Sequence, residues 1–70
     1  MYRISNLSFD RLGKEITMPK IKARYHQNVY ADMEKVVQPG DTIRKINGRE
    51  GGLAIIRNGV IVEAMRWIMI

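Results

Sequence analysis

The chain has no cysteine and a single histidine in 70 residues, and each scarcity limits its chemistry. Disulfides and thiolate metal sites are excluded without cysteine, and one imidazole, His26, makes a zinc site unfavourable. No cysteine nucleophile is present, and Ser5 and Ser8 lie outside any catalytic motif. We therefore expect no metal, no cofactor and no enzymatic activity.

The chain is also too short for more than one domain, so we expect residues 1–70 to fold as a single unit. Domains of this size have a thin stability margin and are often supported by disulfides, metals or self-association. With the first two excluded, a homodimer is expected.

Long apolar runs are missing as well. The apolar segment Leu53 to Ile70 is broken at Asn58-Gly59 and is shorter than the roughly 20 residues of a membrane helix. The first residues lack the apolar stretch of a secretory leader. These absences predict a cytoplasmic protein with no membrane contact.

What the chain has in excess is positive charge. Twelve Lys and Arg outweigh seven Asp and Glu, giving a net charge of +5 and a pI near 10.0. Such a balance favours polyanionic partners such as nucleic acid. The plainer interpretation is solubility, since small domains commonly carry a net charge of about 2 to 8.

Residues 1–25 carry a pattern that predicts one β-hairpin. Pairing around the turn at residues 10–15 places apolar residues opposite each other in a single register: Phe9 with Ile16, Leu7 with Met18, Ile4 with Ile21, and Tyr2 with Ala23. Both stretches change face near Asn6 and Pro19, where proline is typical of a bulge or an edge.

The same register predicts a basic face. Four cations project outward together, and two ring-bearing residues follow: Arg3, Lys20, Lys22 and Arg24, then Tyr25 and His26. Like charges opposite each other destabilise a sheet, which points to an anionic ligand. We predict phosphate contacts from the cations, completed by Arg11 and Lys14, and stacking on bases by the rings. The alternative is a solvated edge whose lysines prevent unwanted pairing.

The segment from Asn28 to Val37 predicts the one helix. Val29, Tyr30, Met33, Val36 and Val37 form a single apolar stripe. Asn28 suits the N-cap, and Pro39-Gly40 ends the helix.

The last third of the chain predicts strands. Thr42 to Ile46 forms one strand, and Leu53–Arg57 pairs with Val60–Ala64 across Asn58-Gly59, a strong signal for a type I′ turn. Both strands of this hairpin are apolar on both faces, with Ile55 and Val62 on one face and Ile56 and Ile61 on the other. This pattern predicts a position at the centre of the sheet or at a dimer seam. Met65 to Ile70 fits either a strand or a helix.

The apolar end of the chain predicts an interface. Its anchors are Ile61, Met65, Trp67 and Ile68, because Trp and Met are enriched where proteins meet.

Two short segments resemble known families. The run Asp10-Arg11-Leu12-Gly13-Lys14, then Ile16-Thr17-Met18-Pro19 and Gly40-Asp41, resembles AbrB-like swapped-hairpin domains, with Glu15 as an extra residue and a longer stretch from Pro19 to Gly40. That resemblance implies a dimeric DNA-binding protein with a strand after the turn. Pro39-Gly40-Asp41-Thr42-Ile43, with Ile46-Asn47-Gly48, is similar to a ten-residue segment of PDZ domains and implies shared turn chemistry.

Taken together, the sequence predicts an α+β fold: a small antiparallel sheet of about five strands, made of two hairpins plus one strand, with one helix packed on it. The predicted function is a small basic nucleic-acid-binding or regulatory module without enzymatic activity. The alternative is a protein-interaction module, an inhibitor or adaptor, that docks through the apolar C-terminal segment.

Overall fold

A computed structural model describes residues 2–48 and 51–67. The strands are β1 (Tyr2–Arg3), β2 (Leu12–Glu15), β3 (Thr42–Ile46), β4 (Leu53–Arg57) and β5 (Val60–Arg66). A 3-10 turn at Phe9–Arg11 precedes β2, and two helices, α1 (Met18–Arg24) and α2 (Gln27–Val36), lie between β2 and β3. No helix in these two ranges is long and apolar enough to span a bilayer.

The strands form one antiparallel sheet in the order β1-β5-β4-β3-β2. Four of them have four to seven residues, and the two-residue β1 extends the sheet at one edge. The predicted α+β class is confirmed. The prediction of a single helix is wrong, because the chain folds a second helix, α1, before the expected one.

β4 is the centre of the sheet and is buried on both faces. Leu53 and Ile55 are fully buried on the face that the helices cover, together with Met33 of α2. Ala54 is fully buried on the other face, where Leu12, Ile46 and Ala64 pack with it. We call this second cluster the sheet-side core, and the cluster of Leu53, Ile55 and Met33 the helix-side core. Of the two positions that the two-faced apolar pattern predicted, the centre of the sheet is the one that β4 occupies.

The β4–β5 hairpin turns at Asn58-Gly59, as predicted. Both residues have positive φ, 53° and 77°, the conformation that a type I′ turn requires and that Asn and Gly tolerate best. Ile56 pairs with Ile61, and Ile55 pairs with Glu63. A bulge at this level leaves Val62 40% exposed.

The predicted N-terminal hairpin over residues 1–25 is not formed. β1 pairs with β5, and the N–H of Ile4 continues that ladder to the carbonyl of Ala64 at 2.7 Å. β2 pairs with β3. The strand that the AbrB-like resemblance implied beyond Glu15 is therefore absent. The basic face that was predicted from the register of this hairpin is therefore not formed.

α1 replaces the second strand of that hairpin because its residues also fit a helical period. Met18, Ile21 and Tyr25 recur at helical spacing and pack into the helix-side core, where Ile21 is fully buried. Pro19 stands in the first turn, where no intrahelical N–H is needed. Lys22 and Arg24 lie in the last turn, near the negative end of the helix dipole.

α2 confirms the predicted helix within one residue at each end. Val29 and Met33 are buried, and Tyr30, Val36 and Val37 pack around them. The N-cap is His26 and not Asn28, because the His26 Nδ1 atom accepts a hydrogen bond from the N–H of Asn28 at 3.1 Å. A two-residue junction, Tyr25 and His26, therefore joins α1 to α2.

The C-terminal segment continues β5 as far as Arg66, which resolves part of the ambiguity in favour of a strand. Trp67 follows and donates its indole N–H to Asp32 Oδ2 at 2.8 Å. That bond joins the end of β5 to α2. Ile68 to Ile70 lie outside the described residues.

Asp41 and Arg57 link the helical layer to the sheet. The Arg57 guanidinium donates from Nε to Oδ1 at 2.8 Å and from Nη2 to Oδ2 at 2.7 Å, and the Asp41 side chain is 1% exposed. Arg57 also reaches the carbonyl of Val36 at the end of α2, and Asp41 accepts the N–H of Gln38. The Gly40-Asp41 turn is thus held by hydrogen bonds that connect it to β4, to the end of α2 and to Gln38.

This network predicts an acid-sensitive contribution to stability. Hydrogen bonding by Arg57, then the N–H of Gln38 and the charge of Arg57, lower the pKa of Asp41 from 3.8 to about 2. Since the folded pKa is below the unfolded one, the contribution is complete above about pH 4 and is lost as pH falls towards 2. We expect Asp41→Asn to lower the unfolding free energy at neutral pH and to flatten its fall between pH 4 and 2.

Urea unfolding followed by circular dichroism across this pH range measures the effect. Glu34→Gln is the matched control, because Glu34 is exposed on α2 and its side chain makes no ion pair within residues 2–48 and 51–67. An Asp41→Asn profile that parallels the wild-type curve would contradict the assignment.

Candidate nucleic-acid interface

Three of the cations predicted to bind phosphates lie on α1. Lys20, Lys22 and Arg24 are all exposed. Lys20 and Arg24 are four residues apart and therefore share one side of the helix. Lys22 lies on the other flank, towards α2, with its Nζ atom 5.6 Å from the centroid of the Tyr30 ring. We call Lys20, Lys22 and Arg24 the α1 cations.

The α1 cations have no acidic neighbour in sequence. Residues 16–31 contain no Asp or Glu, and no α1 cation forms an ion pair within the part of the chain that the structure describes. Two of the carboxylates elsewhere in the chain have other partners: Asp41 binds Arg57, and Asp32 accepts the indole N–H of Trp67. The positive charge of α1 is therefore not neutralised by an ion pair among the described residues.

Arg3 does not join the α1 cations. It lies on the edge strand β1, and its Nε atom is 3.6 Å from Glu63 Oε2 on β5. The predicted placement of Arg3 directly opposite Lys22 is therefore wrong, because the two residues belong to a strand and a helix that do not pair.

Tyr25 and His26 follow α1 directly, but both make contacts that stabilise the fold. Tyr25 is half-buried and packs against the helix-side core, and its N–H bonds the carbonyl of Ile21 at 2.9 Å. His26 is exposed, but its Nδ1 atom is used as the acceptor that caps α2. Of the two residues, His26 is thus the more exposed to a ligand, and Tyr25 offers only the part that the core leaves uncovered.

α2 adds polar side chains that the sequence prediction did not include. Gln27 and Asn28 are exposed in its first turn, beside the junction that follows the α1 cations. Amide side chains can pair with base edges, above all with adenine. The signal that could have identified them is the acid-free stretch 16–31, which continues from α1 through this turn.

The predicted interface at the end of the chain is only partly compatible with the structure. Met65 is fully buried among Leu53, Ile55 and Met33, so its side chain has no surface to offer a partner. Trp67 packs against the same core, and Ile61 packs against the other face of the sheet. Ile68 lies outside the described residues. The apolar pattern around Met65 therefore reflects packing in the core of the chain and not a surface for a partner.

The described residues hold no group of three or more potential metal ligands. The pKa of Asp10 is lowered, first by a hydrogen bond from the Ser8 side chain and then by the N–H of Asp10 itself. A carboxyl stabilised in its ionised form is poorly suited to act as a general acid.

Comparison with protein-family models, with curated proteins and with solved structures gave no match for this chain. Functional inference therefore depends on the geometry of the chain itself.

The cap at His26 makes a stability prediction that separates its structural role from any ligand contact. Replacing His26 by Ala removes the acceptor for the Asn28 N–H, and we expect a loss of about 1 kcal/mol, the usual value for a lost N-cap. His26→Asn is the matched control, because its side-chain oxygen restores the cap while the imidazole is absent.

Thermal or urea unfolding compares the two variants with the wild type. Equal destabilisation of His26→Ala and His26→Asn would contradict the capping role.

Proposed function

We propose that this chain is a non-enzymatic nucleic-acid-binding module and that the α1 cations supply its phosphate contacts. The observation that carries the proposal is a run of residues, 16–31, with three exposed cations, no acidic residue and no ion pair on those cations within the described residues. Lys and Arg that form no ion pair within the chain can replace the counterions of a polyanion, which is the main source of affinity for nucleic acid.

The chemistry of this surface favours a duplex over a single strand. Proteins that bind single strands usually stack bases on exposed aromatic rings. Here Tyr25 and Tyr30 are both half-buried against the core. Cations and amides on the surface suit backbone phosphates and base edges better than unstacked bases.

The order of elements supports the same proposal. α1 and α2 follow one another across two residues. The helix-turn-helix motif, whose turn has about three or four residues, also joins two helices closely and places the second in the major groove. In this arrangement, the α1 cations would contact phosphates while Gln27 and Asn28 approach base edges. A cytoplasmic location, where the absence of cysteine is ordinary, is part of the proposal.

A salt titration tests this function. We expect the chain to bind duplex DNA at low salt, with a slope of log K against log salt of about −3, since each neutralised phosphate contributes about −0.9. The double variant Lys20→Ala/Arg24→Ala removes two contacts and should reduce the magnitude of the slope by about 2. Fluorescence anisotropy with labelled duplex and single-stranded DNA and RNA gives these values.

The matched control is Lys35→Ala/Lys45→Ala, which removes the same charge from exposed positions on α2 and β3. It should change the slope much less. No binding at low salt, or equal losses in the two double variants, would overturn the assignment of α1.

A second candidate function, self-association as a protein-interaction module, is favoured by a different observation. β1 and Ile4 cover β5 only from Ala64 onwards, so among the described residues Val60 to Glu63 have no strand on their outer side. Val60 is 59% and Val62 40% exposed there. An open edge with apolar side chains can pair with the same edge of a second copy, which would give the predicted homodimer.

The solution mass tests this candidate. Light scattering should give a dimer for the wild type and a monomer for Val60→Lys/Val62→Lys, because charged edge residues oppose strand pairing. Phe9→Lys is the control, since Phe9 is 46% exposed outside the sheet. A monomeric wild type at millimolar concentration, or a dimer that persists in the double variant, would reject the edge as an interface.

A further inference from the structure

A cleft of about 670 Å³ lies at the end of the sheet where β3 and β5 finish and β4 begins. The segment that follows β1, from Ile4 to Ser8, forms one wall. Asn47, Gly48 and Gly51, between β3 and β4, form another. The volume is in the range of small-molecule sites, about 300 to 1,000 Å³. None of the α1 cations lines this cleft, so it is separate from the surface proposed to bind a duplex.

Three arginines from three parts of the chain line the cleft: Arg3 from β1, Arg11 from the 3-10 turn and Arg66 from β5. The described lining contains no carboxylate. Arginine forms paired hydrogen bonds with phosphate, and guanidinium groups from separate elements around one space can bind the same phosphate group together. Charge therefore favours a phosphorylated ligand.

Arg11 is held in place by its neighbour Asn47. The Arg11 carbonyl accepts the N–H of Asn47 at 2.7 Å, and the Arg11 Nη2 atom donates to the Asn47 carbonyl at 3.4 Å. Arg3, in contrast, has a side chain that is 72% exposed and only a long ion pair, 3.6 Å, to Glu63. One guanidinium is thus positioned in advance, and a second has room to move onto a ligand.

The remaining lining groups suit more than a phosphate ion. Ile4, Leu7 and Ile46 provide apolar surface, and they belong to or pack against the sheet-side core. Ser5, Asn6, Ser8 and Asn47 provide hydroxyl and amide groups. An apolar floor with hydrogen-bonding groups around it fits a planar base and its sugar, whereas a bare sugar phosphate would leave the floor uncovered.

We propose that this cleft binds a nucleoside monophosphate unit, with its phosphate among Arg3, Arg11 and Arg66 and its base against Ile4, Leu7 and Ile46. The unit is either a free nucleotide or the 5′-phosphorylated end of a nucleic-acid strand. Both sources present the same chemistry to the cleft. The proposal does not depend on duplex binding by α1, because the two surfaces share no residue.

Calorimetry and NMR titrations of the ¹⁵N-labelled full chain test the proposal, with AMP, UMP and inorganic phosphate as probes. We expect both nucleotides to bind more tightly than phosphate and to shift the amide signals of Asn6, Leu7, Asn47 and Gly48. Arg11→Gln should weaken AMP binding about tenfold or more, since a charge-assisted hydrogen-bonding group is lost. Arg11→Lys, which keeps the charge, should retain part of the affinity.

Lys45→Gln and Lys20→Ala/Arg24→Ala are the controls, because these exposed residues do not line the cleft. Both should leave AMP binding unchanged. Circular dichroism confirms that each variant is folded, and Arg66→Gln supplies a second test if Arg11→Gln is unstable.

A further pair of probes separates the two sources. A 5′-phosphorylated dinucleotide that binds more tightly than AMP would assign the cleft to strand ends, and tighter binding of AMP would assign it to free nucleotides. Either result supports the site if the 5′-hydroxyl dinucleotide binds weakly. No binding of AMP or UMP at low salt, phosphate binding as tight as AMP, or AMP binding that Arg11→Gln and Arg66→Gln leave intact would overturn the proposal.

Discussion

Burial of β4 on both faces is the constraint on which the rest of this structure depends. Leu53 and Ile55 point to one side and Ala54 to the other, and all three are fully buried. A chain of 70 residues must therefore build a cover for each face. The pair α1 and α2 covers one, and the segment from Ile4 to Leu7 contributes to the other. Each cover carries one of the two candidate sites.

The placement of carboxylates determines where positive charge stays available. Asp41 binds Arg57, Asp32 accepts the Trp67 indole N–H, and Glu63 faces Arg3. These contacts join elements that are distant in the chain, so the acids serve the fold. The α1 cations form no such ion pair among the described residues, and the acidic neighbour of Arg11 is the adjacent Asp10. The positive charge that gives the chain its net charge of +5 is thus concentrated on particular surfaces, such as α1.

Sequence patterns predicted the elements whose signals are unambiguous. Asn58-Gly59 allows few turns other than the one observed, and the stripe from Val29 to Val37 fits only a helix. The prediction of a strand from Ile16 to Tyr25 was wrong because the apolar residues of this segment fit both a two-residue and a helical period. Pro19 then carried the decisive information, since proline is favoured in a first helical turn and disfavoured within a sheet ladder.

The candidate sites were less accessible to sequence reasoning than the fold. Lys20, Lys22 and Arg24 could be identified from local charge, but their true arrangement depends on α1 and not on the predicted hairpin. The cleft could not be predicted at all. Arg66 is far in sequence from Arg3 and Arg11, and the three line one cleft because β1 pairs with β5 while β2 pairs with β3. Long-range strand pairing leaves no local signal.

Amide hydrogen exchange measured by NMR tests the central claim most directly. If β4 is covered on both faces, the amides of Ala54 and Ile55 should exchange most slowly. The Ile4 amide, bonded to the Ala64 carbonyl, should be protected well above its neighbours Ser5 and Asn6. Rapid exchange throughout β4, or an Ile4 amide as exposed as Ser5, would show that the second face is uncovered and would contradict the account.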